Sequence, residues 1–224
     1  GCPASARSHG RHAGAGATLA APPLWPGRRA EASGDGGASG RVAQRHAMGL
    51  GLEPVAIRGN VDSRLGKVES GELDGVILAL SGLRRLGRDG EVSEAIDPIA
   101  MVPAAAQGAL ALECRSDDRE VADLLKTLDD HYSRICVEAE RALLATLEAG
   151  CSAPVGALAE VVEAETGLEI SLRASVTAAD GSDAVKLSAT GALTDAVEVG
   201  QRLARLLLDD GAAELMGARD DARA

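Results

Sequence analysis

The chain has 224 residues, of which 46% are hydrophobic and 25% charged, and this length can bury one large core or two small ones. Its net charge of −11, with one Trp, one Tyr and no Phe, argues against general nucleic-acid-binding modules, which need cationic surfaces and aromatic faces. No apolar run is long enough to cross a bilayer and no signal-peptide pattern opens the sequence. We therefore expect a cytoplasmic protein.

The four cysteines are Cys2, Cys114, Cys136 and Cys151. None belongs to a Cys-x-x-Cys pair or has a histidine at zinc spacing, so the pattern predicts neither a disulfide scaffold nor a metal site. Cys114 and Cys136 stand within apolar patterns and are predicted to be small buried residues.

Residues 1–48 differ from the rest of the chain. They are mainly Gly, Ala, Ser, Pro, Arg and His, without helical or strand periodicity, and they are basic whereas the remainder is acidic. Such a composition offers too little apolar surface to offset the entropy of ordering. We predict a disordered or non-native segment.

Residues 49–108 are predicted to form an α/β domain. Pro54–Ile57 is a short apolar strand candidate, Val61–Glu69 a helix with Asn60 as its N-cap, and Leu73–Leu80 a buried strand. Two parallel strands joined by a helical crossover place their carboxyl ends at one edge of a sheet, where open α/β sheets bind ligands.

Arginines follow both of these strands. Arg58 and Arg64 come after the first strand, and Arg84 and Arg85 after the second. Guanidinium groups bind carboxylates in a bidentate manner, so this edge suits a ligand with several carboxylates. Any one of these arginines alone is better explained as a solvated surface residue, but four at paired strand ends favour a site.

The next stretch connects two units. Pro103–Gly108 is a small-residue connector, either a hinge or an ordinary loop, and Ala109–Cys114 is an apolar strand candidate. A helix is predicted over about Asp118–Leu128, with acidic residues in its first turn.

The C-terminal residues 131–224 are predicted to form a compact α+β domain. An amphipathic helix covers Tyr132–Leu147, and strands follow at Leu158–Val162, Leu168–Val176 and Val185–Ala189. A last helix spans about Asp195–Asp210. Two helices would cover one face of a three-stranded antiparallel sheet.

Cys151 lies on the loop between the first of these helices and the sheet. Its neighbours in Glu148–Gly156 are small, so a thiol here has room for a large covalent adduct. An isolated loop cysteine with no role is the alternative.

Four segments in register resemble the hydroxymethylbilane synthase (porphobilinogen deaminase) family: Ile57–Arg64, Leu78–Gly87, Pro103–Ala109 and Glu148–Gly156. The resemblance runs from about Gly49 to the C-terminus. It implies a transferase of tetrapyrrole biosynthesis that joins four porphobilinogen molecules into linear hydroxymethylbilane, with release of ammonia. The pyrrole chain would grow on a dipyrromethane cofactor attached to Cys151 by a thioether.

The resemblance also assigns residues and domains. Residues 49–108 would be part of a periplasmic-binding-protein-like domain, 109–128 would return to a first domain, and 131–224 would carry the cofactor in a monomeric enzyme. Carboxylates of the cofactor and of porphobilinogen would be bound by Arg58, Arg64 and Arg85, and the cofactor also by Gln107 and Gly108.

The family's first domain, with an Arg-Gly-Ser motif and a catalytic aspartate, has no counterpart in residues 1–48, and no catalytic residue is identified. We therefore expect a truncated, impaired chain that exposes apolar residues along 109–128. The alternative function is a non-enzymatic two-domain protein that binds a carboxylate ligand.

Overall fold

The computed structural model describes residues 17–19, 29–33, 53–150, 153–165 and 167–217. In these ranges the strands are β1 (Ala17–Leu19), β2 (Arg29–Ser33), β3 (Glu53–Ile57), β4 (Ile77–Ala79), β5 (Glu94–Ala95), β6 (Val155–Ala164), β7 (Gly167–Thr177) and β8 (Ala184–Ala192). The α-helices are α1 (Val61–Glu69), α2 (Leu80–Arg85), α3 (Arg119–Lys126), α4 (His131–Thr146), α5 (Ala196–Asp209) and α6 (Ala212–Gly217).

Helix α1 follows the prediction closely. The Asn60 side chain accepts a hydrogen bond from the Ser63 amide at 2.9 Å and caps the first turn. The helix ends before Gly71, whose φ of +76° suits glycine. Its buried face joins a first hydrophobic core that is drawn from β3, α1, β4, α2 and the segment before β4: Ile57, Leu65, Leu73, Val76, Leu78 and Leu83.

The two strands that were predicted to share one sheet edge, β3 and β4, belong to different sheets in the structure. β3 pairs in parallel with β2, whereas β4 pairs antiparallel with β1, which also pairs with β5. The predicted strand Leu73–Leu80 is also shorter, because Leu80 already begins α2.

Within residues 1–48, which were predicted to be disordered or non-native, the structure describes two short strands, β1 and β2. Their backbones form ladder pairs with β4 and β3, and ladder hydrogen bonds do not require apolar side chains. The rest of this stretch lies outside the described residues.

The segment between the two units is only partly as predicted. Helix α3 forms, and the Asp118 side chain caps it by accepting from the Val121 amide. Ala109–Cys114 forms no strand, and in the described ranges no neighbouring strand pairs with it. The expected exposure of apolar side chains is confirmed, with Leu110 77%, Leu112 57%, Leu124 62% and Leu128 69% exposed.

The C-terminal unit has the predicted α+β architecture. Strands β6, β7 and β8 form an antiparallel sheet in that order, and α4 and α5 pack on it. Alternate residues of β7 enter the core with residues of both helices: Ile170, Leu172, Ala174, Val176, Leu143 and Leu203. Helix α6 was not predicted, and it begins directly after Gly211.

Among the helices that the structure describes, none combines the length and apolar composition needed to cross a membrane.

Candidate functional site

The Arg58–Arg64 segment forms a tight loop at the start of α1. Gly59 has a φ of +124°, and a Cβ built there would lie 2.1 Å from the Ser63 Oγ, so only glycine fits. The Arg64 Nε donates to the Gly59 carbonyl at 2.8 Å. The side chain of Arg64 is therefore held against the loop.

Arg88 joins this loop to the segment that follows α2. Its guanidinium donates to Asp62 and Glu91, each at 2.5 Å, and lies 3.7 Å from Glu69. The hydrogen bond to Glu91, opposed in part by desolvation and supported by Asp62, raises the pKa of Arg88. Because Asp62 precedes Arg64 by two residues and Arg88 follows Arg85 by three, the two arginine-bearing segments lie side by side.

The remaining arginines of these segments are not neutralised in this way. Arg58, Arg84 and Arg85 are exposed. Within the part of the chain that the structure describes, their guanidinium groups make no ion pair with an acidic side chain. The nearby Asp62, in contrast, is paired with Arg88. The surface therefore keeps an excess of positive charge that can bind carboxylates.

A cavity of about 470 Å³ lies between the unit that contains α1 and α2 and the C-terminal unit that contains α4 and β6. Gln107 and Gly108, both predicted site residues, line it. Arg58, Arg64 and Arg85 do not, so the structure separates the predicted site residues into two groups. The other lining residues come from the start of α2, the segment after β5, the connector, α4 and β6, and they include Leu80, Asp97, Ser133, Cys136, Glu140 and Glu160.

Glu140 is the buried acid of this cavity, and the sequence analysis did not identify it. It is only 6% exposed, and its Oε1 accepts from the Ala159 amide at 2.7 Å while its Oε2 accepts from the Ala106 amide at 2.5 Å. Burial raises the pKa of Glu140 to about 7, against the lowering effect of these two hydrogen bonds. The signal was present in the sequence, because Glu140 continues the buried stripe of Cys136, Leu143 and Leu147 on α4.

The backbone of Ala106 is unusual. Its φ is +60°, a left-handed conformation that costs free energy in any residue with a Cβ. The Gln107 amide donates to the Ala104 carbonyl and the Ala109 amide to the Ala106 carbonyl, each at 3.2 Å. These bonds form a turn that presents Gln107 and Gly108 at the cavity.

Two of the cysteines are described. Cys136 is buried as predicted, whereas Cys114 is only half-buried. Burial, with the negative charges of Glu140, Glu160 and Asp130, raises the pKa of Cys136 to about 12. Its thiol is therefore protonated at neutral pH and is a poor nucleophile.

Cys151, the predicted attachment residue, and Ser152 lie outside the described residues. The residues on either side are described. The Ala153 amide donates to the Gly150 carbonyl at 3.0 Å, and the Pro154 carbonyl accepts from the Thr177 amide at 3.1 Å. Gly150 and Ala153, the described residues on either side, are thus held close together just before β6 begins.

Comparison with known proteins gives a consistent result. The family described as "Porphobilinogen deaminase, dipyromethane cofactor binding domain" matches residues 35–123, and "Porphobilinogen deaminase, C-terminal domain" matches residues 134–209. The first match thus begins at residue 35, whereas the resemblance was predicted to begin at about Gly49.

Relatives named porphobilinogen deaminase share about half of their residues with the chain. The Nocardia farcinica protein is 54% identical over 79% of this chain, the Mycobacterium avium protein 54% identical over 81%, and the Mycobacterium leprae protein 52% identical over 81%. The aligned region spans 52% of the first relative and 59% of the other two. On both family matches and these identities, the chain belongs to the porphobilinogen deaminase family.

Proposed function

We propose that this chain takes part in the hydroxymethylbilane synthase reaction, in which four porphobilinogen molecules are joined into linear hydroxymethylbilane with release of ammonia. It would contribute the residue that carries the dipyrromethane cofactor and the residues that bind its carboxylates. We also propose that it acts as a monomer in the cytoplasm, following the pattern of the family.

The observation that carries this proposal is the Arg88–Asp62 ion pair. It holds the two arginine-bearing segments together and neutralises the acid between them. We propose that Arg58, Arg64 and Arg85 bind the acetate and propionate groups of the cofactor and of porphobilinogen. The exposed guanidinium groups of Arg58 and Arg85, which make no ion pair within the described ranges, fit such a ligand, because each can bind a carboxylate through two N–H groups.

The cavity does not suit these carboxylates. It is lined by Asp97, Glu140 and Glu160, and none of the described residues that line it is an arginine, lysine or histidine. A carboxylate placed there would be repelled and poorly solvated. We therefore propose that Gln107 and Gly108 contact uncharged parts of the cofactor from the cavity side.

We propose Cys151 as the attachment residue. Its Sγ would bond to the terminal methylene carbon of a pyrrole, and the thiol proton would leave with the displaced amine as ammonia. When bound, the dipyrromethane supplies the anchored end on which the pyrrole chain grows. The contrast with Cys136 supports this choice among the cysteines, because Cys136 is buried beside an acid.

We further propose the domain division of the family: residues 49–108 as part of a periplasmic-binding-protein-like domain, 109–128 as a connecting segment and 131–224 as the cofactor-bearing domain. The separate hydrophobic cores of the two units support it.

The intact mass of the purified chain after incubation with porphobilinogen tests the function. We expect an increase equal to two pyrrole units in the wild type and none in the Cys151→Ala variant. A chain that binds porphobilinogen reversibly without any increase in mass would contradict the proposal and support a non-enzymatic carboxylate-binding protein.

A further inference from the structure

Strand β6 is at the edge of the C-terminal sheet, and two other parts of the chain bind its outward amides. The Ala157 amide donates to the Pro103 carbonyl of the connector at 2.8 Å, and the Ala159 amide donates to the Glu140 carboxylate at 2.7 Å. An edge strand otherwise leaves every second amide without a partner from the sheet. The connector and α4 therefore complete the edge of β6.

Glu140 binds the connector as well as the strand. Its second oxygen accepts from the Ala106 amide, and Ala106 is the residue in the left-handed conformation. A strained backbone of this kind persists only where its surroundings hold it in place. One carboxylate thus links the strained turn next to Gln107 to the edge of the sheet.

We propose that the ionised Glu140 carboxylate is a positioning group that holds the connector turn Ala104–Gly108 against β6, so that the placement of Gln107 and Gly108 at the cavity depends on pH. The role of Gln107 and Gly108 in cofactor binding rests on the proposed function, but the two hydrogen bonds to Glu140 do not.

The surroundings of Glu140 explain the dependence on pH. The groups that share the cavity with it are Cys136 from α4, Glu160 from β6, Asp97 from the segment after β5, and the uncharged Ser133 and Gln107. No basic side chain lines the cavity among the residues that the structure describes, and the amides of Ala106 and Ala159 are the groups there that compensate the negative charge. Burial raises the pKa of Glu140 to about 7.

Protonation would weaken this bridge. An ionised carboxylate accepts at both oxygens, whereas a protonated one carries a hydroxyl that is a donor. In the ionised form each carboxylate oxygen accepts from one of the two amides, Ala106 or Ala159. In the protonated form one of these oxygens is a hydroxyl, which accepts less well from an amide, so one of the two hydrogen bonds weakens. The link between the connector and β6 is therefore strongest above neutral pH and weakens as the pH falls below it.

Amide resonances of the wild-type chain test the proposal without any substitution. We expect the ¹⁵N shifts of Ala106 and Ala159 to titrate together, with a common midpoint near the pKa of Glu140 of about 7. Absence of a shared titration between pH 5 and 9 would overturn the proposal. The measurement gives the same answer whether or not the chain carries a pyrrole adduct, so its outcome is independent of the proposed function.

Hydrogen exchange adds a test by substitution. In Glu140→Gln, one acceptor oxygen becomes a donor, and we expect the Ala106 or Ala159 amide to exchange about tenfold faster at pH 8 than in the wild type. Glu138→Gln, an exposed change on the same helix, should leave both rates unchanged, and the Leu172 amide in the core reports whether the fold is intact.

Measuring the same exchange rates at pH 5.5 separates the effect of the carboxylate charge from the effect of side-chain shape. There the wild-type carboxyl is protonated, and we expect the difference between wild type and Glu140→Gln to shrink to about twofold or less. An equal difference at both pH values would contradict a role for the charge.

Discussion

The Nη1 of Arg88 lies 2.5 Å from the Oδ1 of Asp62 and joins the end of α2 to the start of α1. Neither residue was a predicted site residue. Their contact nevertheless brings together the segments that carry Arg58, Arg64 and Arg85. The arginine-rich surface is therefore joined by an ion pair whose members are outside the proposed set of carboxylate-binding residues.

The first prediction concerns that ion pair. Arg88→Ala should weaken the binding of porphobilinogen by roughly two- to fivefold, because the two segments lose their link while the arginines proposed to bind its carboxylates remain. Isothermal titration calorimetry at low salt measures the change. Arg88→Lys should restore only part of the affinity, since an ammonium group cannot reproduce the forked contacts. Unchanged affinity in Arg88→Ala would show that the ion pair does not organise the site.

The second prediction concerns the arginines themselves. Arg58→Ala and Arg85→Ala should each reduce the affinity for porphobilinogen about tenfold, because each removes a charge-assisted contact to a carboxylate. Arg205→Ala on α5 is a matched control, since Arg205 is also exposed and belongs to the C-terminal unit. Equal effects of all three substitutions would indicate nonspecific attraction by surface charge.

Local patterns predicted the local structure well. The Asn60 cap and the alternating strands of the C-terminal sheet form as expected, because each is determined by residues close in sequence. Pairing partners were predicted poorly. β1 and β2 pair with distant segments, and Ala109–Cys114 has a strand-like composition but no strand beside it in the described ranges.

The candidate site was also predicted only in part, with its residues identified but not their arrangement in space. Motifs identified the arginines and the connector, but not the separation of Arg58, Arg64 and Arg85 from the cavity that Gln107 and Gly108 line. Glu140 was missed because its role comes from amides at positions 106 and 159, which are far from it in sequence. A charged residue on a helix is ordinarily assigned to solvent, and only its place in a buried stripe indicates otherwise.

The third prediction tests the contact between Val102, the residue before the connector, and β6. A Cβ at Gly156 would lie 2.6 Å from the Val102 carbonyl oxygen, so Gly156→Ala should destabilise the fold by about 1–3 kcal/mol through overpacking. Chemical denaturation measures the free energy of unfolding.

Gly66→Ala is the control for this substitution. A Cβ at Gly66 in α1 meets no atom within 4 Å, and the change should stabilise the helix by about 0.5–1 kcal/mol. If Gly156→Ala proved as stable as the wild type, the close approach of Val102 to β6 would be refuted.

The fourth prediction follows from the pKa of Glu140, which is raised in the folded state from 4.5 to about 7. The folded state then binds the proton more tightly than the unfolded state. The protonated carboxyl therefore contributes to global stability, fully below pH 4.5, and this contribution is lost as the pH rises through 7. The ionised form makes the stronger hydrogen bonds to Ala106 and Ala159, but the cost of burying its charge outweighs them. Between pH 5.5 and 8 the loss is roughly 2 kcal/mol.

Glu140→Gln has no proton to lose at this position. The stability of the wild type relative to Glu140→Gln should therefore decrease by that amount between pH 5.5 and 8, as measured by urea denaturation at each pH. Glu138→Gln should show no such trend relative to the wild type. If the difference in unfolding free energy between wild type and Glu140→Gln did not change with pH, the pKa of Glu140 would be the same in the folded and unfolded states, and the prediction would be wrong.

The attachment of a pyrrole group to Cys151 is the central claim, and peptide mapping after incubation with porphobilinogen tests it most directly. The chain is digested and each cysteine-containing peptide is weighed by mass spectrometry. We predict an increase equal to two pyrrole units on the peptide that contains Cys151, and unmodified peptides for Cys114 and Cys136. An adduct on either of those cysteines, or on none, would contradict the account.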